Sequence, residues 1–326
     1  MKFDRSLSKN LKQIVFTLSI ISVFSLCSCH KKENRADYEI GMDTNYEACS
    51  GLEDGGGKEA KVIILAGQSN CTGCSITSYL KEQSSSEDFA RYEAGYPNIK
   101  CNFSIDNHRN CSAGEFRKTD LLCGSYDEEF GPEVGMADYL NSNLPGEEFY
   151  ILKFSMSGYS LNYHWMWDYE RGEIYDAEML FFKNALDYLK SMNYKVSLDA
   201  FCWMQGESDT TEYKGKRYYK NEVNFISYLR EDLKEYANPR GLYFIDAGIS
   251  DSPYCLPTYP EINEAKEKIS HLSPLNLYFS TIDNGLTTLN EPYDNPDLGH
   301  YDALSEIALG RLFGENIASI YNGGSK

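Results

Sequence analysis

The chain has 326 residues, 10 of them cysteine, and a formal net charge of -18 at pH 7. A chain of this length is long enough for one sizeable α/β domain. So large a negative charge disfavours nucleic acids and other polyanions as partners, because like charges repel, and it favours uncharged substrates.

The N-terminus is typical of an export signal. Residues 1–28 have a basic start and an apolar stretch over 14–24, and a Leu-Cys-Ser-Cys sequence ends at Cys29. This ending resembles the bacterial lipobox, which predicts cleavage before Cys29 and acylation of that cysteine. An ordinary cleaved signal peptide and a short membrane anchor are the alternatives, but about 11 apolar residues fall short of the roughly 20 that span a bilayer. We predict an exported lipoprotein that is held at a membrane and faces the periplasm or the cell surface.

An exported chain folds in an oxidising compartment, which permits disulfides. Eight cysteines remain once Cys27 and Cys29 are set aside. We expect some of them to pair, with Cys101, Cys111 and Cys123 as the first candidates because they cluster in an irregular segment. Cys202 lies in an apolar run and is predicted to be a free thiol in the core.

Regular elements begin only after a polar segment. Residues 29–60 lack apolar periodicity, which predicts a flexible tether before a single domain at 61–326. The apolar run 62–66 is a predicted buried strand that ends at Gly67. The stretch 75–129 is rich in Ser, Asn, Asp, Gly and Cys, which predicts a cysteine-containing surface insertion. Strands and helices then alternate: strands at 149–154, 196–203, 241–246 and 277–280, and helices at 130–141, 177–192, 213–236, 261–271 and 303–321.

This alternation predicts an α/β fold in which helices cover both faces of a parallel sheet. The carboxyl ends of parallel strands meet at one edge, where the sites of such folds lie. Three predicted strand ends and one loop near the C-terminus carry the unusual polar residues, at 67–70, 157–160, 205–209 and 297–300.

Ser69 is the candidate nucleophile. It follows a strand that ends at a glycine, in the position at a helix start where serine nucleophiles recur. A serine hydroxyl needs a base, and His300 is predicted to be that base. Asp297 lies three residues earlier, close enough to hold the imidazole in one tautomer. The alternative for Ser69 is a helix cap without chemistry.

Acyl transfer also needs donors for an oxyanion. We predict the backbone N–H groups of Ser69 and Gly158 and the side-chain amide of Gln205 for this role. The residues predicted to support these groups are Gln68, Asn70 and Glu207. Aromatic side chains over 159–167 are predicted to form a pocket wall that stacks on a sugar ring, namely Tyr159, Tyr163, Trp165 and Trp167.

Taken together, these segments resemble the sialate O-acetylesterase and acetyl xylan esterase branch of the SGNH hydrolases. The segments that carry the resemblance are 64–70, 130–133, Lys153 with Gly158 and 160–161, 203–209 and 297–303. The resemblance implies a flavodoxin-like, three-layer αβα domain that removes acetyl groups from carbohydrate without a metal or other cofactor. It also implies a triad of Ser69, Asp297 and His300, and the oxyanion donors predicted above. The loop around Gln205 replaces the asparagine donor of the wider group.

The sequence thus predicts a lipid-anchored carbohydrate O-acetylesterase whose partners are an acetylated glycan and, through Cys29, a membrane. The glycan is predicted to be of the acetyl xylan or O-acetyl sialic acid type. The alternatives are a carbohydrate-binding lipoprotein without turnover and an esterase for lipids or aryl esters. The sequence leaves the oligomeric state open.

Overall fold

The structure, a computed structural model, describes residues 34–210 and 212–323. The predicted export signal and Cys29 lie outside these residues. A single 3-10 turn at Arg35–Asp37 belongs to a short N-terminal unit, and the compact domain spans Glu39–Lys326. Within the two described ranges, no helix is both long enough and apolar enough to cross a membrane.

A mixed, mostly parallel sheet forms the centre of the domain. The strands in chain order are β1 (Glu59–Gly67), β2 (Ser75–Ile76), β3 (Tyr96–Ile105), β4 (Asn110–Cys111), β5 (Arg117–Thr119), β6 (Glu129–Phe130), β7 (Phe149–Ser155), β8 (Met166–Trp167), β9 (Glu170–Arg171), β10 (Lys195–Met204), β11 (Tyr243–Ala247) and β12 (Asn276–Phe279). The main sheet has the order β12-β11-β10-β1-β7-β3-β4, and β5 pairs with β3. Strands β4 and β5 are antiparallel to β3, whereas the other pairings in this sheet are parallel.

Helices flank this sheet, as the alternating pattern predicts. Their bounds are α1 (Ser69–Thr72), α2 (Thr77–Gln83), α3 (Ser86–Ala94), α4 (Glu133–Asn143), α5 (Glu173–Ser191), α6 (Glu212–Asp232), α7 (Tyr259–Ser270) and α8 (Ala303–Tyr321). Consecutive residues 62–66 of β1 are all buried. Because neighbouring side chains of a strand point to opposite faces, this burial shows that both faces of the sheet are covered.

Helices α4 and α8 pack closely because glycines lie where they cross. A Cβ atom on Gly310 would lie 1.9 Å from the carbonyl oxygen of Pro132, and one on Gly135 would lie 2.1 Å from that of Ile307. No real Cβ atom tolerates such distances, so any larger residue would push the two helices apart.

The prediction of a surface insertion over 75–129 is wrong for much of that stretch. It contains α2, α3 and the long strand β3, which pairs in parallel with β7 over Ile99–Ile105. Apolar and polar residues alternate over 99–105, which is the pattern of a strand, so the sequence did carry a signal for β3. Two of its polar residues, Asn102 and Ser104, are nonetheless buried. Asn102 accepts a hydrogen bond from the Ser112 hydroxyl at 2.8 Å, so its burial is compensated.

The tether prediction is wrong for residues 39–58, which pack on the domain. The backbone N–H groups of Ile40 and Met42 donate to the Glu173 carboxylate at 2.8 and 2.6 Å. Gly55 N–H donates to the carbonyl of Met192 at 2.7 Å. Partly buried side chains of the segment, among them Ile40 and Leu52, also pack against the core, so backbone and side-chain contacts together hold it.

The disulfide prediction is also wrong for the described residues, because all eight of their cysteines are free thiols. Cys101 and Cys123 are buried, and Cys111 is partly buried. The prediction for Cys202, a free thiol in the core, is confirmed.

Candidate active site

Three strand ends meet at one level of the sheet. In the strand register, Gly67 at the end of β1 pairs with Ser155 of β7 on one side and with Met204 of β10 on the other. Strand β1 is also the point where the chain crosses from one half of the sheet to the other, the place where α/β folds bind their ligands. The segments predicted to meet at this edge therefore do so.

Gly67 makes the turn that places Ser69. Its φ is +150°, and a Cβ atom there would lie 1.9 Å from the carbonyl oxygen of Met204, so the close approach of β10 requires glycine. Helix α1 begins directly after Gln68, whose carbonyl accepts from the N–H groups of Cys71 and Thr72 at 2.7 and 2.8 Å. Ser69 is thus the first residue of a helix at the carboxyl edge of the sheet, and it is 8% exposed.

The Gln68 side chain ties this helix start to the loop after β10. Its Oε1 accepts hydrogen bonds from Gln205 Nε2 at 3.2 Å, from Gly206 N–H at 3.3 Å and from Ser208 N–H at 3.1 Å. Three donors on one buried oxygen hold two strand ends in a fixed relation.

Gln205 does not match its predicted role as an oxyanion donor. Its Nε2 donates to the Asp209 carboxylate at 2.7 Å as well as to Gln68, and its Oε1 accepts from the Tyr218 hydroxyl at 3.1 Å. A carboxylate is a stronger acceptor than a neutral carbonyl, so the amide is directed into the protein. Gln205 is a positioning residue in this structure.

The Asp209 carboxylate also accepts the N–H groups of Leu161 at 2.7 Å and Asn162 at 3.1 Å. It thereby joins the segment after β7 to the segment after β10. We refer to Gln68, Gln205, Asp209 and Tyr218 as the floor network. All four side chains are at most 2% exposed.

Asp297 and His300 form a hydrogen-bonded pair in a surface loop. His300 Nδ1 lies 2.6 Å from Asp297 Oδ2, and Gly299 N–H donates to Asp297 Oδ1 at 2.9 Å. Partial burial raises the pKa of Asp297, but the hydrogen bonds from His300 and Gly299 outweigh it, so this pKa lies below its ordinary value. The Asp297 carboxylate therefore stays ionised beside the imidazole and forms a hydrogen bond with Nδ1 of His300. Nε2 of the same ring is left for another partner.

Asn70 connects this loop to the helix that carries Ser69. Its Nδ2 donates to the carbonyl of Gly299 at 3.2 Å, and its Oδ1 accepts from Tyr301 N–H at 3.0 Å. These two contacts hold the backbone on either side of His300. Glu207 fixes the same amide, because its Oε1 accepts from Asn70 Nδ2 at 2.6 Å. The residues predicted as supporting thus link the serine and the histidine.

The two predicted backbone donors carry free N–H groups. Among the residues that the structure describes, neither Ser69 N–H nor Gly158 N–H donates a hydrogen bond. The turn before Gly158 is fixed by Ser157, whose hydroxyl lies 3.1 Å from both Thr72 Oγ1 and Asp106 Oδ2. Within the residues that the structure describes, Ser69 and His300 are not joined by a direct hydrogen bond. Such bonds are often missing from sites without substrate.

Asp106 is a site-positioning residue that the sequence did not indicate. Its Oδ1 also accepts from Ser157 N–H at 2.6 Å. It follows directly on strand β3, at the same edge as the other strand ends. If β3 had been predicted as a strand of the main sheet, Asp106 would have been expected at this edge.

A buried ion pair supports helix α1 from below. Lys153 Nζ lies 2.5 Å from Glu133 Oε2, and it donates to the carbonyls of Thr72 at 2.9 Å and Cys123 at 2.8 Å. Burial lowers the pKa of Lys153, but the Glu133 carboxylate outweighs it, so the ammonium stays charged. It thereby satisfies the carbonyl at the end of the helix that carries Ser69.

The predicted aromatic wall over 159–167 is wrong for two of its four rings, Tyr163 and Trp165. Trp165 is fully buried, and its Nε1 donates to Glu178 at 3.0 Å. Tyr163 is only 6% exposed. These two rings are buried, whereas Tyr159 and Trp167 are partly exposed and their predicted role stays a prediction. A cavity of about 350 Å³ lies beside Asp297 and His300.

Solved structures share this fold. A protein from Arabidopsis thaliana is 17% identical, with a TM-score of 0.59 over 80% of this chain and 98% of its own. NanS is 13% identical, with a TM-score of 0.55 over 82% and 99%. A carbohydrate acetylesterase from Xanthomonas citri is 16% identical, with a TM-score of 0.50 over 82% of this chain and 57% of its own. Among curated protein sequences, none matches this chain.

A family profile covers most of the domain. Residues 59–319 match the family described as carbohydrate esterase, sialic acid-specific acetylesterase. This range includes β1 and most of α8, and with them every segment of the candidate site. The chain belongs to this family of carbohydrate esterases, and it is a hydrolase that acts on ester bonds.

Proposed function

We propose that this esterase removes O-acetyl groups from a glycan by a serine mechanism, with Ser69 as nucleophile, His300 as base and Asp297 as its partner. One observation carries the proposal most directly. Asn70, the residue after Ser69, holds the backbone on both sides of His300. The hydroxyl and the imidazole are thus held on elements that contact one another, as nucleophilic catalysis requires.

The first half of the reaction forms an acyl-enzyme. Ser69 Oγ attacks the acetyl carbonyl carbon while its proton passes to His300 Nε2, the nitrogen that Asp297 leaves free. The tetrahedral intermediate then collapses, the bond to the sugar oxygen breaks, and His300 returns the proton to that oxygen. The sugar leaves with a free hydroxyl.

The second half releases acetate. His300 takes a proton from a water molecule as the water oxygen attacks the acetyl-serine carbonyl carbon. The bond between that carbon and Ser69 Oγ then breaks, and His300 returns the proton to Ser69 Oγ. In both halves the carbonyl oxygen becomes an oxyanion. The N–H groups of Ser69 and Gly158 are the proposed donors, since both lack acceptors in the described part of the chain. Such a donor contributes about 3 kcal/mol to the stability of a transition state.

The test is acetate release from acetylated xylan, an O-acetyl sialic acid and an aryl acetate by residues 30–326 and by the Ser69→Ala variant. We expect wild-type release from at least one glycan and none above background from Ser69→Ala, with an unchanged melting temperature. Ser319→Ala is the matched control, because this serine is exposed on α8. Wild-type activity in Ser69→Ala would overturn the mechanism, and sugar binding without release would favour a binding protein.

A further inference from the structure

The cavity beside His300 has a wall that the mechanism does not use. Part of it comes from residues 109–129, with Arg109, Tyr126 and Glu129 among its lining residues. Another part comes from the loop before α8, with Glu291, Pro292 and the catalytic pair among its residues. At about 350 Å³, the cavity lies at the lower end of the range for small-ligand sites.

Tyr126 lines this cavity with a largely exposed ring. The guanidinium carbon of Arg109 lies 4.6 Å from the centre of its ring, so one face of the ring is covered. The residue is nonetheless 59% exposed, which leaves the other face accessible. A flat ring of this kind packs on the C–H face of a sugar.

The charges of the cavity are mostly negative. Glu129, Glu291 and Asp297 line it, against the single cation Arg109 among the lining residues described. That cation already has an anionic partner, because its guanidinium forms an ion pair with Asp106 and a hydrogen bond with Ser125. Its charge is therefore largely neutralised before a substrate arrives.

Glu129 has an unused acceptor. Its Oε2 is buried and has no hydrogen-bond partner, whereas both oxygens of Glu291 accept hydrogen bonds from Gln83 and from Ala303 N–H. Burial raises the pKa of Glu129, although His300 and Arg109 lower it. This oxygen has almost no accessible surface, so Glu129 acts on the cavity through its charge rather than as a contact for a ligand.

We propose that this cavity binds the sugar ring of the acetylated substrate, with Tyr126 as the stacking platform, and that it selects a neutral sugar over one that carries a carboxylate. The inference rests on the proposed function and names its substrate class. A sugar carboxylate here would be repelled by three carboxylates, whereas a neutral ring of the acetyl xylan type would not.

Two substrates that differ only in charge test the selection. They are an O-acetyl sialic acid and the same sugar with its carboxylate replaced by a carboxamide. We expect kcat/KM to be roughly tenfold higher for the carboxamide, because like charges repel in a partly buried cavity. Glu129→Gln should bring the two values closer together, and their ratio cancels any effect of this variant on the chemical step.

A carboxylate sugar that reacts as fast as its carboxamide, or faster, overturns the selection. The aryl acetate separates this result from a failure of the proposed function. Ser69-dependent hydrolysis of the aryl acetate, together with preference for the carboxylate sugar, contradicts the inference alone. Ser69-dependent hydrolysis of the aryl acetate without release from any sugar contradicts both, and so does the absence of all hydrolysis.

The stacking role of Tyr126 is tested separately, with an acetylated xylo-oligosaccharide as substrate. Tyr126→Ala should lower kcat/KM by about two- to tenfold through loss of stacking, and Tyr126→Phe should restore it because the ring remains. Tyr219→Ala is the control, since this tyrosine is exposed on α6 away from the cavity. An equal loss in Tyr126→Ala and Tyr126→Phe would contradict stacking.

Discussion

The two halves of the proposed catalytic site are held in different ways. The floor network lies under the start of helix α1, and each of its side chains is at most 2% exposed. The base loop, residues 290–300, lies at the surface, where the side chains of Asp297 and His300 are 53% and 30% exposed. The serine is thus positioned from the interior and the histidine from the surface.

Because of this difference, we expect one region to determine the stability of the fold and the other to determine the rate of turnover. A buried and satisfied hydrogen-bond network stabilises the fold, and its loss leaves several polar groups unpaired at once. A surface loop contributes little to stability, and its side chains are free to serve chemistry. Substitutions in the floor network should therefore change the free energy of unfolding, and substitutions in the base loop should change turnover.

The largest expected effect tests the base loop. Asp297→Asn should lower kcat by about ten thousandfold, because an asparagine amide favours the wrong tautomer of the imidazole. The melting temperature should stay within error of wild type, since the side chain is half exposed. Acetate release and thermal unfolding of the same preparation measure both quantities.

Asp283→Asn is the matched control for this variant, because it changes an exposed aspartate outside the base loop. A large fall in melting temperature for Asp297→Asn, with little loss of turnover, would mean that the pair is structural.

The next largest expected effect is on stability, and it comes from a substitution in the floor network. Asp209→Ala removes the acceptor of three buried donors, namely Gln205 Nε2, Leu161 N–H and Asn162 N–H. We expect the free energy of unfolding to fall by about 3–5 kcal/mol, measured by urea denaturation.

Asp283→Ala, an exposed truncation of the same residue type, should change the free energy of unfolding by less than about 0.5 kcal/mol. If Asp209→Ala were as stable as this control, the floor network would not be what holds these two loops together.

Asn70 joins the two regions, so its loss should affect both in a smaller degree. Asn70→Ala removes the contacts to Gly299 and Tyr301 that hold the backbone around His300. We expect kcat to fall by roughly ten- to a hundredfold with little change in KM, because misplacement affects the reaction more than substrate binding. Steady-state kinetics on the aryl acetate separate the two constants.

Asn143→Ala provides the comparison, since this exposed asparagine donates to the carbonyl of Tyr139 at the end of α4. Wild-type kcat in Asn70→Ala would show that the base loop holds its position without help from the serine helix.

The sequence by itself determined the alternating elements and the edge of the sheet at which the unusual polar residues lie. The last helix, 303–321, has the bounds that its apolar pattern predicts. Spacing alone also indicated the contact between Asp297 and His300, because three residues of a turn bring such side chains together. Local patterns suffice wherever the interacting residues are near in the chain or follow strands of one sheet.

Tertiary structure alone decided the rest. The alternating residues of β3 predict a strand, but not that its polar residues are buried, as Asn102 is in its contact with Ser112. Residues 39–58 are held by backbone donors together with partly buried side chains, and the Gln205 amide is directed inward because it donates to Asp209. The positions of these groups depend on which donors and acceptors remain after the chain has packed. That outcome is a property of the whole fold rather than of any local pattern.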